Sequence, residues 1–235
     1  MDMALVVSIL IVLLALFAFW IIPPDPFGIN NIHTSRGWDG NHYYVHRAHH
    51  DYMNAAHILA YVNQKVHHLI RHLKNKYLTE PMEKIDMNRV KNNHIDILPI
   101  QNDTNLEIER VEYLVSRYDG NNLVENSPHN ADEYTSYTEG KGRKIAICLR
   151  EKAPGSRFHD INLIMFVVIH ELAHVCNDVF GHGEKFWDAF AWLLGEAVEA
   201  GIYKPVNYTL RPTKYCGMNI NYSPLFNPVQ RYKYM

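Results

Sequence analysis

The apolar positions of this chain change their rhythm along its length, and each rhythm predicts a different element. Ala4 to Ile22 is an unbroken apolar run, ALVVSILIVLLALFAFWII, without a charge or a proline. A helix of that length covers about 28 Å, close to the hydrocarbon thickness of a bilayer. Trp20 lies near one end, where an amphipathic ring favours the interface, and Pro23-Pro24 ends the helix. No Lys or Arg precedes the run and no small-x-small cleavage site follows it, so residues 1–22 predict an uncleaved membrane anchor rather than a signal peptide. Arg36 and Arg47 follow the span with no basic side chain before it, which favours the body on the cytoplasmic side.

Residues 23–45, rich in Pro, Gly, Asn and Asp, read as a linker or stalk. From about His46 to Tyr77 the pattern is helical: Leu59, Val62, Val66, Leu69, Leu73 and Tyr77 recur at three- and four-residue steps. A shorter helix is predicted over Leu106–Tyr118. Tyr134–Thr138 and Lys144–Arg150 read as two strands joined across Gly140 and Gly142. Two strong helices follow. The first runs from Asp160, an N-cap residue, to Asn177; the second runs from Gly183 to Ala200 and stops at Gly201. From Lys204 onward four prolines predict irregular chain. The organisation expected is anchor 1–22, linker 23–45, one α+β domain over 46–222, and a tail over 223–235.

Composition bounds what such a domain does. The 235 residues are 47% hydrophobic and 20% charged, as in a globular protein with room for one domain plus attachments. A formal charge of −2 gives no overall pull toward nucleic acid, which is therefore not an expected partner. The three cysteines are Cys148, Cys176 and Cys216. They make no disulfide framework; reduced thiols are the simpler reading, with one disulfide plus one free thiol left open.

Fifteen histidines turn attention to metal chemistry. Residues 165–174 read MFVVIHELAH. Side chains four apart share a helix face, so His170 and His174 can place two imidazoles on one ion. Glu171 is rotated by about 100° from His170 and is not an equivalent ligand. It can instead act as a base beside a zinc-activated water, whose pKa falls toward about 7. His182, in Phe180-Gly181-His182-Gly183, is the favoured third ligand because flanking glycines permit a close turn. Glu184, His159, Glu196 and Glu199 are the other candidates.

HELAH followed by GHGEKFW (Gly181–Trp187) resembles the WLM and SprT-like groups of zincin metallopeptidases. The longer set, with KGRKIAICLR and Tyr215-Cys216-Gly217, resembles WLM-type proteins encoded by large DNA viruses. The resemblance implies a zincin-like fold, zinc as cofactor, His170, His174 and His182 as ligands and Glu171 as catalytic base. It also implies that Phe186 and Trp187 pack the second strong helix on the first. The spacing from His174 to His182 is longer than is common in the WLM group, and with no basic tract the cleavage of DNA-crosslinked proteins does not carry over.

The function expected is a membrane-anchored zinc metallopeptidase acting on peptide bonds, with membrane lipid and a protein substrate as partners. The alternative is an assembly protein among the neighbouring membrane proteins of a large virus particle, keeping the fold without cleaving. Lesser features weigh toward structure. The histidines between His42 and His72, including the pairs His46/His50 and His68/His72, suit a solvated or interface-lining helix better than a second metal site. Cys176, two positions from His174, suits packing. Tyr134, Tyr137 and Tyr215 are candidate oxyanion donors but more ordinary as structural aromatics, and Met218 is a weak candidate for a turn beneath the metal.

Overall fold

The computed structural model describes residues 32–46, 50–79, 104–126, 135–151 and 157–226. The anchor expected over 1–22 lies outside these residues, as do Tyr134, His49 and the tail beyond 226. Among the described residues no helix is long and apolar enough to cross a membrane.

The supposed linker holds two strands. β1 (Ile32–Arg36) and β2 (His42–His46) pair antiparallel, with Thr34 opposite Tyr44. Alternation explains them: Tyr43 and Val45 are fully buried while His42 and Tyr44 face outward. His46 therefore ends a strand rather than starting a helix. Helix α1 (Tyr52–Lys74) follows and buries the expected stripe of Leu59, Val62, Val66, Leu69 and Leu73. A short π-helical turn over Asn75–Thr79 continues it. Helix α2 (Thr104–Arg117) precedes β3 (Leu123–Glu125), β4 (Tyr137–Glu139) and β5 (Lys144–Ile147). The sheet runs β1-β2-β3-β5-β4, antiparallel at both margins and parallel in the middle, with β4 at one edge.

Helices α3 (Ile161–Val175) and α4 (Glu184–Glu199) pack on one another beside that edge. The Asp160 carboxylate accepts from Asn162 N at 2.9 Å and caps α3. Such a cap contributes about 1 kcal/mol. α3 is apolar almost all round, with Leu163 to Ile169 buried, as suits a helix enclosed on several sides. Phe166 anchors it, meeting Phe190 of α4 at 5.2 Å and Tyr208 at 4.8 Å. Gly201 adopts φ +67° and ends α4.

The segment predicted as irregular forms a hairpin, β6 (Thr213–Tyr215) with β7 (Met218–Ile220). Cys216 and Gly217 make its two-residue turn with φ of 52° and 82°, the left-handed pair that closes a tight hairpin. Cys148 and Cys216 are joined as a disulfide with Cα atoms 6.3 Å apart, which corrects the reduced-thiol reading; Cys176 is free and buried. The fold is mixed α+β, a small sheet with helices packed on it.

Candidate metal centre

Three elements bring the site together. α3 supplies His170 and His174 from one face, one turn apart. The loop 176–183 turns back and delivers His182 just before Gly183 opens α4. Gly181 takes φ +76°, a conformation that a side chain there would strain. The loop is tied down from outside. Arg117 Nη1 donates to Val175 O at 3.0 Å and Asn177 O at 3.1 Å, satisfying carbonyls at the end of α3, and its Nη2 pairs with Asp178 at 2.9 Å. Lys141 Nζ donates to Val179 O.

The histidines converge by the same nitrogen. His182 Nε2 lies 3.0 Å from His170 Nε2 and 3.2 Å from His174 Nε2. A tetrahedral zinc with bonds of about 2.0–2.1 Å sets its ligand nitrogens about 3.3 Å apart, so the cluster has the dimensions of a zinc shell. Burial holds His170 well below the usual imidazole range, and the charges of its neighbours add to that. His174 is pushed down to about 4 and His182 is also lowered, both chiefly by burial. All three rings are therefore neutral at pH 7 with lone pairs to offer. Both short contacts run through His182 Nε2, which carries at most one proton, whereas a cation at the centre would take a lone pair from each of the three nitrogens. The residues fit zinc.

Phe186 organises the rings. Fully buried on α4, it lies 4.3 Å from His174 in a stacked arrangement, 4.8 Å from His170 and 4.6 Å from His182. Trp187, nearly buried, packs against Phe186 and Tyr222. Phe186 joins the two helices, whereas the ring contacts of Trp187 lie on α4, His182 and Tyr222.

Glu171 points elsewhere, as its rotation requires. It is buried, and its Oε2 accepts from Thr138 Oγ1 of the edge strand β4 at 2.9 Å. Burial pushes the carboxyl up to about 7, against the hydrogen bond from Thr138 that pulls it down. Thr138 carries no sequence signal for this role; only the antiparallel pairing of β4 with β5 brings it beside α3.

The other candidates are placed elsewhere. Glu184 is exposed at the start of α4. Glu196 accepts from Lys76 and Tyr77 and meets His72, Glu199 pairs with Lys76, and the ammonium fills that cluster. His159 sits with Cys148 and Cys216. Tyr137 faces away from Thr138 along β4, and its OH accepts from Lys144 Nζ at 2.7 Å. Tyr215 is buried and bonded to Ser136 and to Cys148 O. Met218 is half exposed against Thr135.

Comparison with known proteins bears on the region holding this cluster. Residues 114–221 match the family model of the WLM domain. That stretch contains β3 to β7 and every residue of the cluster, and the mixed α+β architecture fits a WLM domain. The WLM domain is associated with zinc and with zincin-like peptidases. Three uncharacterized viral proteins are similar to parts of the chain. One from Acanthamoeba polyphaga mimivirus is 43% identical over 99 residues, covering 42% of this chain and 49% of its own length. One from Invertebrate iridescent virus 6 is 39% identical over 69 residues, covering 29% of this chain and 38% of its own. The third, from Invertebrate iridescent virus 3, is 41% identical over 75 residues, covering 32% and 45%. The matches thus span about half or less of these relatives. No solved structure matches the chain.

Proposed function

We propose that the chain is a zinc-dependent metallopeptidase, held at a membrane through residues 4–22. The observation that carries this reading is the pairing of two features. Three imidazole nitrogens converge through contacts of 3.0 and 3.2 Å, and a buried carboxylate with its own hydrogen-bond donor follows His170 on the same helix. A purely structural site has no need of such a carboxylate, and three protein ligands leave a fourth position for water or substrate.

Zinc, when bound, supplies a Lewis acid that polarises the scissile carbonyl and lowers the pKa of water to about 7. His170, His174 and His182 would hold it. Glu171 accepts the proton as the water oxygen bonds to the carbonyl carbon. It then passes that proton to the departing nitrogen as the C–N bond breaks. The hydrogen bond from Thr138 fixes the carboxylate and stabilises its ionised form. Because β4 is the sheet edge and carries Thr138, an extended peptide laid along it meets the site with its backbone.

The test is Glu171→Gln in the zinc-loaded full chain, with hydrolysis of a peptide library read alongside zinc content. The expected result is loss of cleavage with zinc retained. Absence of cleavage by the zinc-loaded wild-type chain would favour the assembly-protein alternative.

A further inference from the structure

A second constellation, sharing no residue with the first, joins the end of β5 to the β6–β7 turn. Cys148 follows β5, Glu151 lies three residues on, His159 precedes the cap of α3, and Cys216 sits in the hairpin turn. Both cysteines are buried, and a ring nitrogen of His159 lies within 4.8 Å of both sulfurs. The His159 side chain is only 7% exposed and its ring packs on Tyr215 at 4.7 Å. Its Nε2 has no hydrogen-bond partner. The buried Oε1 of Glu151 also lacks one, and it stands 4.0 Å from that nitrogen, beyond hydrogen-bond reach. The other oxygen of Glu151 accepts from Gly217 N at 3.1 Å, which holds the carboxylate against the same turn.

Buried donors and acceptors left unpaired call for an explanation. With the sulfurs bonded to each other, neither His159 Nε2 nor Glu151 Oε1 has a hydrogen-bond partner within the protein. With the sulfurs as thiolates, two S and one imidazole N lie within 4.8 Å of one another, and a Glu151 oxygen stands 4.0 Å from His159 Nε2 as the candidate fourth donor. That donor set is the one a thiophilic divalent ion takes in a closed four-ligand site.

We propose that in its dithiol state the chain forms a second metal site from Cys148, Cys216, His159 and Glu151, taking Zn2+. Ion binding and the disulfide are alternative fastenings of one joint. Each pins the hairpin that carries Tyr215 to the end of β5, but only the ion engages His159 and Glu151. Zinc enters as the two thiols release their protons, so its uptake is favoured as pH rises. Four protein ligands leave no open position, which makes the site structural rather than catalytic.

The experiment uses the full chain in detergent, kept reduced by a phosphine, loaded with Zn2+ or Co2+ and freed of excess ion. Two ions per chain are expected when reduced and one after oxidation to the disulfide. Cobalt is expected to show sulfur-to-metal charge-transfer absorption only in the reduced chain. His159→Ala, which keeps both cysteines, should lower the reduced stoichiometry to one, and His170→Ala/His174→Ala should leave one ion with the sulfur band intact. A reduced chain without the sulfur band, or an unchanged stoichiometry in His159→Ala, would overturn the proposal. A single ion showing the band would uphold this site while removing the support for the histidine centre, so the two readings fail separately.

Discussion

Phe186 gives the sharpest test of how the fold prepares the histidine centre. Its ring touches all three imidazoles, and none of the contacts is a hydrogen bond, so orientation of the ligands rests on shape. Phe186→Ala removes a fully buried ring and should cost about 3–5 kcal/mol. At about 2–4 °C per kcal/mol for a chain of this size, the melting temperature of the metal-free protein should fall by about 6–20 °C. Phe186→Leu is more informative, because a near volume-conserving change costs under about 1.5 kcal/mol, or less than about 6 °C. It nevertheless loses the ring–ring contacts, each worth about 0.5–1.5 kcal/mol and not additive. If the equivalent of one contact serves to hold the ligand rings, zinc binding should weaken by about 2–12-fold, reaching at its upper end the range of about 10–100-fold seen for residues that orient ligands. Competition against a chelator measures the affinity, with the disulfide kept intact so that the histidine centre is read alone. Wild-type zinc affinity in Phe186→Leu, with the modest loss of stability still present, would refute the orienting role.

Other substitutions probe the frame and the base. Thr138→Val should leave zinc bound and lower kcat by about 10–150-fold, the worth of a hydrogen bond to a charged group of about 1.5–3 kcal/mol, with Thr138→Ser restoring most of it. Asp160→Ala should remove the cap of α3 and cost about 1 kcal/mol, a fall of about 2–4 °C in melting temperature. Glu196→Gln should cost about 3 kcal/mol, at the low end for breaking a buried pair, because Lys76 keeps Glu199 at 2.7 Å. Burial pushes Glu196 up, but His72, Lys76 and Tyr77 outweigh it and hold its pKa below the ordinary value. Its stabilisation is therefore complete above the unfolded value of about 4.3 and is lost as pH falls through the lower folded value. Urea midpoints measured against pH should show a shallower acid limb in Glu196→Gln than in wild type.

What the sequence made legible was local. His170 and His174 share a face because a helix repeats every 3.6 residues, and Asp160 and Gly201 mark helix ends by their chemistry alone. What it hid was pairing at a distance. β1 and β2 looked like a stalk because their polar and histidine residues mask an alternation in which Tyr43 and Val45 face the core. Thr138 meets Glu171, and Cys148 meets Cys216, only after the sheet and the hairpin are in place. The hairpin did carry a signal, since Cys216-Gly217 between alternating residues suits a two-residue turn, but the surrounding prolines outweighed it.

X-ray absorption at the zinc edge, recorded on the oxidised chain loaded with one equivalent, bears most directly on the histidine centre. The expected shell is three imidazole nitrogens at about 2.0–2.1 Å plus one light-atom ligand from solvent, with no sulfur, and it should collapse in His170→Ala/His174→Ala. A shell containing sulfur, or one closed by a fourth protein side chain, would contradict the account.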